Sequence, residues 1–171
     1  MKTTATILTL ALAVGAATHL TACGSSNKSS SATKSASKAA AKAPGKSLYT
    51  RLGGEPAITA VVNDFVNNSA ADPTINFTRK GEGKEWNATP EAVAHLKKML
   101  VEQICQATGG PQKYTGRDMK TVHKGQNITE AQFNALAAQL VMSLKRFKVA
   151  DADSAELVAI VASMKGDIVG Q

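Results

Sequence analysis

Tyr114-Thr115-Gly116-Arg117-Asp118-Met119-Lys120-Thr121-Val122-His123, with Gly125 just beyond, is the stretch on which the fold turns. A short turn of helix around Asp118–Lys124 puts Met119 four residues before His123. Residues four apart share a helix face, so a thioether and an imidazole can meet one partner. Taken alone, a histidine on a polar turn is a surface feature. Its neighbours along the chain change that reading.

On both sides the periodicity is helical. Upstream, Thr89-Pro90-Glu91 supplies an N-cap, a proline at the first helical position and an early acid. Val93, Leu96, Leu100, Ile104 and Ala107 follow as a stripe, and Gly109-Gly110-Pro111 ends the helix. Downstream, Thr129-Glu130-Ala131-Gln132 has the capping-box spacing. Phe133, Leu136, Ala137, Leu140, Val141 and Leu144 then recur at threes and fours. A last helix is expected near Asp153, with Glu156 at box spacing and Leu157, Ile160, Val161, Met164 and Ile168 as its stripe. Weaker helices are expected at Ser47–Leu52 and Glu55–Ala70, parted by Gly53-Gly54. Asp72 to Thr89 reads as loop. No repeat and no alternating strand run is present, so residues 47–171 form one all-α domain.

The first 46 residues differ in kind. Met1-Lys2 and the apolar run from Ala5 to Ala17 read as a signal peptide, too short for a permanent span. The run ends in Leu20-Thr21-Ala22-Cys23, which looks like a bacterial lipobox, with Cys23 as the lipidated residue after a leader of residues 1–22. The three acyl chains typical of bacterial lipoproteins anchor firmly. Gly24, rather than an aspartate, follows Cys23. In a cell with two membranes this resembles the pattern that sorts a lipoprotein to the outer one, on the periplasmic or outer-membrane side, and the protein is expected outside the cytoplasm. Residues 24–46 are Ser, Ala, Lys, Thr, Gly and Asn with one proline, a flexible tether with an r.m.s. reach of roughly 25 Å. The formal charge of +7 divides unevenly: residues 1–46 hold six lysines and no acid, while residues 47–171 hold 14 basic and 13 acidic residues, 14 − 13 = +1. A folded part so nearly neutral offers no nucleic-acid face. With Cys23 acylated, Cys105 is alone and no internal disulfide forms.

For chemistry, no phosphate loop, Ser/His/Asp elbow or CxxC is present, and His95 and His123 are the histidines beyond the leader. A multi-histidine zinc site is excluded, but one histidine suffices for a haem iron. The ordered set Leu48-Tyr49, Arg51-Leu52-Gly53-Gly54, Val61-Val62-Asn63-Asp64-Phe65, Asp72-Pro73, Gly109-Gly110-Pro111, Tyr114 to Met119, His123, Ile128-Thr129 and Phe133 resembles the group I truncated haemoglobins over most of residues 48–169. The resemblance implies a shortened two-over-two globin fold. It also implies a haem b held without a covalent bond, since there is no CxxCH and no histidine in the last helix. By the same resemblance His123 is the proximal iron ligand and Met119 packs beside it, with Val122, Ile128, Phe133 and Leu136 completing that side. Phe65 and Phe77 pack the ring edge and far side, and Leu96, Met99 and Leu100 lie above it. His95, one residue before the stripe, is expected to point sideways.

Two departures bear on activity. Val66 stands where relatives commonly have tyrosine, and Leu100 where they often have glutamine. The polar pair that holds O₂ in relatives proposed to oxidise nitric oxide is therefore absent. Gln103 is the polar residue left on the inward stripe and the candidate donor. Met99 reads as pliable packing rather than an iron ligand. The expected function is binding of O₂, NO or CO at a membrane-tethered haem. A redox enzyme fed by an external reductase, and a haem-free helical interaction module, are the other readings.

Overall fold

A computed structural model describes residues 45–82 and 84–171. The expected leader, the Cys23 anchor and all but the end of the tether lie outside the described residues. Among those described, six α-helices follow in order: α1 (Leu48–Arg51), α2 (Gly54–Ala71), α3 (Pro90–Ala107), α4 (Met119–His123), α5 (Glu130–Arg146) and α6 (Asp151–Ser163), and a 3₁₀ turn at Lys165–Asp167.

Local chemistry accounts for most of the helix starts. Thr89 accepts from the Ala92 amide at 3.2 Å with Pro90 opening α3, and Asp118 accepts from Thr121 N at 2.9 Å to start α4. Thr129 closes a full capping box: its hydroxyl accepts from Gln132 N at 3.2 Å, while Gln132 Oε1 accepts from Thr129 N at 2.9 Å. The last helix departs from expectation. It begins two residues early, with Ala150 at the cap and no side-chain bond there. Asp153 and Glu156 do not form a box, because both carboxylates turn to Arg51. Its Nε donates to Asp153 at 2.6 Å and its Nη2 pairs with Glu156. A guanidinium gripped by two carboxylates thus ties α6 to α1. Ile168 consequently lies beyond α6, after the 3₁₀ turn.

Packing follows from the apolar faces. α2 packs on both α3 and α5, α5 packs on α6, and α1 bridges α2 and α6. Val62, Val66, Cys105 and Leu144 form the sealed centre, with Leu140 and Leu157 packed beside them. Two glycines let the backbone close in. Gly53 takes φ +92° between α1 and α2, where an added Cβ would sit 2.9 Å from that of Ala57. At Gly110 a Cβ would lie 2.6 Å from the Tyr49 ring and 2.8 Å from the Cys105 carbonyl oxygen. The short α4 is different. It has no buried residue and meets the 3₁₀ turn. That placement leaves space between α4 and the inner face of α3.

Candidate functional site

The space is a cavity of about 760 Å³ with largely apolar walls. Its size lies within the range of about 300–1,000 Å³ usual for small-molecule and cofactor sites. From α3 come Leu96, Met99, Leu100 and Gln103, which recur at three, four and seven and so share one face. Met119, Val122 and His123 enter from α4. Ile128 precedes α5, which adds Phe133 and Leu136. Phe65 closes the α2 side and Phe77 the loop side. Ile160 and Val161 of α6, with Met164 just past its end, form a floor.

Val66 is the exception among the expected lining residues. It is absent from the wall and packs in the sealed core at 1% exposure. Neighbouring residues on a helix are rotated by about 100°, so once Phe65 faces the cavity Val66 must turn away. His95 also differs from expectation. It lines the cavity while remaining exposed, which places it at the mouth rather than to the side. Lys98 and Arg117, also exposed, line the cavity as well. Gln103 reaches the cavity, but its Nε2 lies 3.1 Å from Met164 Sδ and donates there. One of its two amide hydrogens is thus engaged.

His123 is held in one orientation. Its Nδ1 lies 2.7 Å from the Met119 carbonyl oxygen, one turn back on α4. A carbonyl oxygen only accepts, so Nδ1 carries the proton and the neutral ring keeps its lone pair on Nε2. A hydrogen bond on the other ring nitrogen is the arrangement that orients metal-binding histidines. Among the described residues no three His, Cys, Asp or Glu side chains gather as a metal cluster. The cavity therefore offers one nitrogen ligand amid apolar walls, which suits an iron already held in its own macrocycle. Asp118, the cap that starts α4, is held below the usual carboxylate range by the hydroxyl and amide of Thr121. The Tyr114 phenol, raised by burial, donates to the Arg117 carbonyl at 2.8 Å and steadies the preceding loop.

Among the lining residues that sequence reasoning did not assign to the site are Arg79, Trp86 and Gln132, the last read only as a helix cap. Trp86 meets Phe77 edge to face, with ring centroids 5.5 Å apart, and its amide donates to Thr78 O at 2.9 Å. The signal was a lone tryptophan in a loop of Gly, Lys and Asn, since so large an apolar group seldom stays in water. Arg79 is buried and takes φ +59°, left-handed backbone that an arginine rarely adopts. Nothing in the local sequence announces that. Its guanidinium donates to Gln132 Oε1 at 3.0 Å and to Glu82 at 2.6 Å, and Gln132 Nε2 donates to the same Glu82 oxygen at 3.2 Å. The loop before α3 is thereby fastened to the start of α5.

Comparison with known proteins agrees with this architecture. The family model for bacterial-like globins matches residues 47–169. A group 1 truncated hemoglobin of Mycolicibacterium paratuberculosis is 33% identical over 124 residues, covering 71% of this chain and 83% of that one. Another, from Chlamydomonas moewusii, is 32% identical over 124 residues, covering 71% and 67%. The crystal structure of the Tetrahymena pyriformis truncated hemoglobin in its Fe(III) form superposes with a TM-score of 0.64 at 28% identity, over 74% of this chain and all of that one. The chain belongs to the bacterial-like globin family, with group 1 truncated haemoglobins as its relatives.

Proposed function

We propose that the cavity holds one haem b, without a covalent link, and binds a diatomic ligand such as O₂, NO or CO beside it. Haem is the cofactor of the globin family, and what it supplies when bound is an iron that takes such ligands reversibly. The protein's part is fixed by its own residues. His123 presents Nε2 because Nδ1 is bound to Met119 O, and this observation carries the reading. Leu96, Met99, Leu100, Phe133 and Leu136 exclude water from the ring faces. Exposed Lys98 and Arg117, which also line the cavity, suit the carboxylates that a haem presents to solvent. The α6 helix has no histidine that could form a covalent link. The test is the absorption spectrum of the full chain, oxidised, reduced and with CO. A protein purified with added haem that gives no CO-sensitive band would overturn the proposal.

Localisation is a separate part of the proposal. The lipobox Leu20-Thr21-Ala22-Cys23 and the lysine-bearing tether support export and anchoring through lipid on Cys23. No described helix is long and apolar enough to cross a membrane. Cys23→Ser is expected to abolish lipid labelling and shift the protein out of the membrane fraction; unchanged labelling and fractionation would refute the anchor.

A further inference from the structure

We infer that Arg79 is the hydrogen-bond donor to the diatomic ligand, a role that rests on the haem reading above. Arg79 lines the cavity, and its side chain is only 6% exposed. Its terminal nitrogens are committed: Nη1 to Gln132 Oε1 at 3.0 Å, and Nη2 to Glu82 at 2.6 Å and to the Asn127 carbonyl at 3.3 Å. Nε has no acceptor. A buried N–H without a partner is unfavourable, and such groups are few in native proteins. This one sits on left-handed backbone at φ +59°, so two unfavourable features coincide at one residue of the cavity wall. A ligand acceptor would satisfy the first of them.

The acceptor could be a haem carboxylate or the diatomic ligand, and the surroundings favour the ligand. The charge of Arg79 is already balanced by Glu82. Its side chain is withdrawn from water, where a carboxylate would lose hydration. Lys98 and Arg117 line the same cavity and are exposed. A polarised ligand needs only an N–H held in place, and a guanidinium keeps its protons at every working pH. Gln132 and Glu82 fix the fork, so little reorganisation accompanies the bond. The competing donor, Gln103, gives one of its two Nε2 hydrogens to Met164 and is tested beside Arg79.

The haem-loaded full chain tests this by O₂ dissociation in stopped flow and by the infrared C–O stretch of the CO complex. Wild type is compared with Arg79→Leu, Arg79→Lys and Gln103→Leu. A hydrogen bond from a charged donor predicts O₂ release on the order of ten- to a hundred-fold faster in Arg79→Leu. The C–O stretch should move to higher frequency there, return part of the way in Arg79→Lys, and stay put in Gln103→Leu. Unchanged release and stretch in an Arg79→Leu protein that retains haem would reduce the arginine to a loop clamp and overturn the inference. A shift confined to Gln103→Leu would give the role to that amide and overturn it equally. Should Arg79→Leu fail to hold haem, the wild-type stretch decides: a frequency characteristic of a pocket without a donor refutes the assignment, and a lowered one supports it. Failure of the wild type itself to bind haem would sink the haem reading, a result distinguishable from all of these.

Discussion

The two walls that meet at the cavity are built in different ways. On the α4–α5 wall each feature is secured within a few residues: Asp118 caps Thr121, His123 is held by Met119, and Thr129 and Gln132 cap one another. The wall between α2 and α3 has no helix among the described residues of 72–89 and is secured from afar. Arg79 reaches 53 positions along the chain to Gln132, and Gln139 donates to Asp72 at 2.9 Å across 67. Short-range bonds fix the orientation of one imidazole at small entropic cost. Long-range bonds instead shape a pocket edge, and they fail together if their shared partner is lost, because loop closure is only favourable once those contacts form.

The largest expected effect tests the local wall. His123→Ala removes the one oriented nitrogen ligand and should abolish the normal haem spectrum, while His95→Ala should leave it intact. The two substitutions exchanging outcomes would mean that the mouth histidine, not the locked one, serves the iron.

Next comes the partner shared by the distant wall. Gln132→Leu strips Arg79 and Glu82 of a common partner and also removes half of the α5 capping box. Leaving buried polar groups unpaired costs about 1–3 kcal/mol each, so unfolding in urea should shift by at least that amount. Thr129→Ala, which removes the cap alone, should cost about 1 kcal/mol. Equal losses in the two variants would show that the long-range bonds add nothing.

This contrast also explains what could be read in advance. The helices from Pro90 and Glu130, the turn ending at His123 and the faces of α3 and α5 all follow from caps and spacing, which are local. The grip of Arg51 on Asp153 and Glu156 was hidden, because that box spacing has two structural uses and only the packing of α1 on α6 selects one. Arg79 was hidden for the same reason: beyond nearby Glu82, its partners Asn127 and Gln132 lie 48 and 53 residues downstream. Val66 lies off the cavity wall because the helix turns about 100° between Phe65 and the next residue, a rotation that a family position does not reveal.

A smaller effect is expected with pH. Gln132 donating to it, and then the charge of Arg79, hold the Glu82 carboxyl below the usual glutamate range. A carboxyl depressed in the folded state contributes stability that is present above its unfolded pKa and is lost as pH falls through the lowered folded value. Acid should therefore loosen the loop that carries Trp86, the single tryptophan of the chain. Tryptophan fluorescence should change across that acid range in the wild type and much less in Glu82→Gln. An identical titration in both would detach the loop from this carboxyl.

The smallest expected effect concerns Met99, the α3 side chain between Leu96 and Leu100 on the cavity face. A thioether can ligate haem iron, so a methionine here invites the idea of a second axial ligand. The setting argues for packing instead. Met99 is flanked by leucines on the wall, and methionine is the residue that fills irregular apolar space. Exchange with leucine nearly conserves volume, which costs less than about 1.5 kcal/mol in most cores. Met99→Leu should therefore leave the reduced spectrum unchanged and shift stability little. It also separates the two walls, since a true sulfur ligand would make the α3 side as firmly oriented as His123. A reduced protein that passes from six- to five-coordinate on Met99→Leu would establish that ligand, and the apolar account of the α3 wall would be wrong.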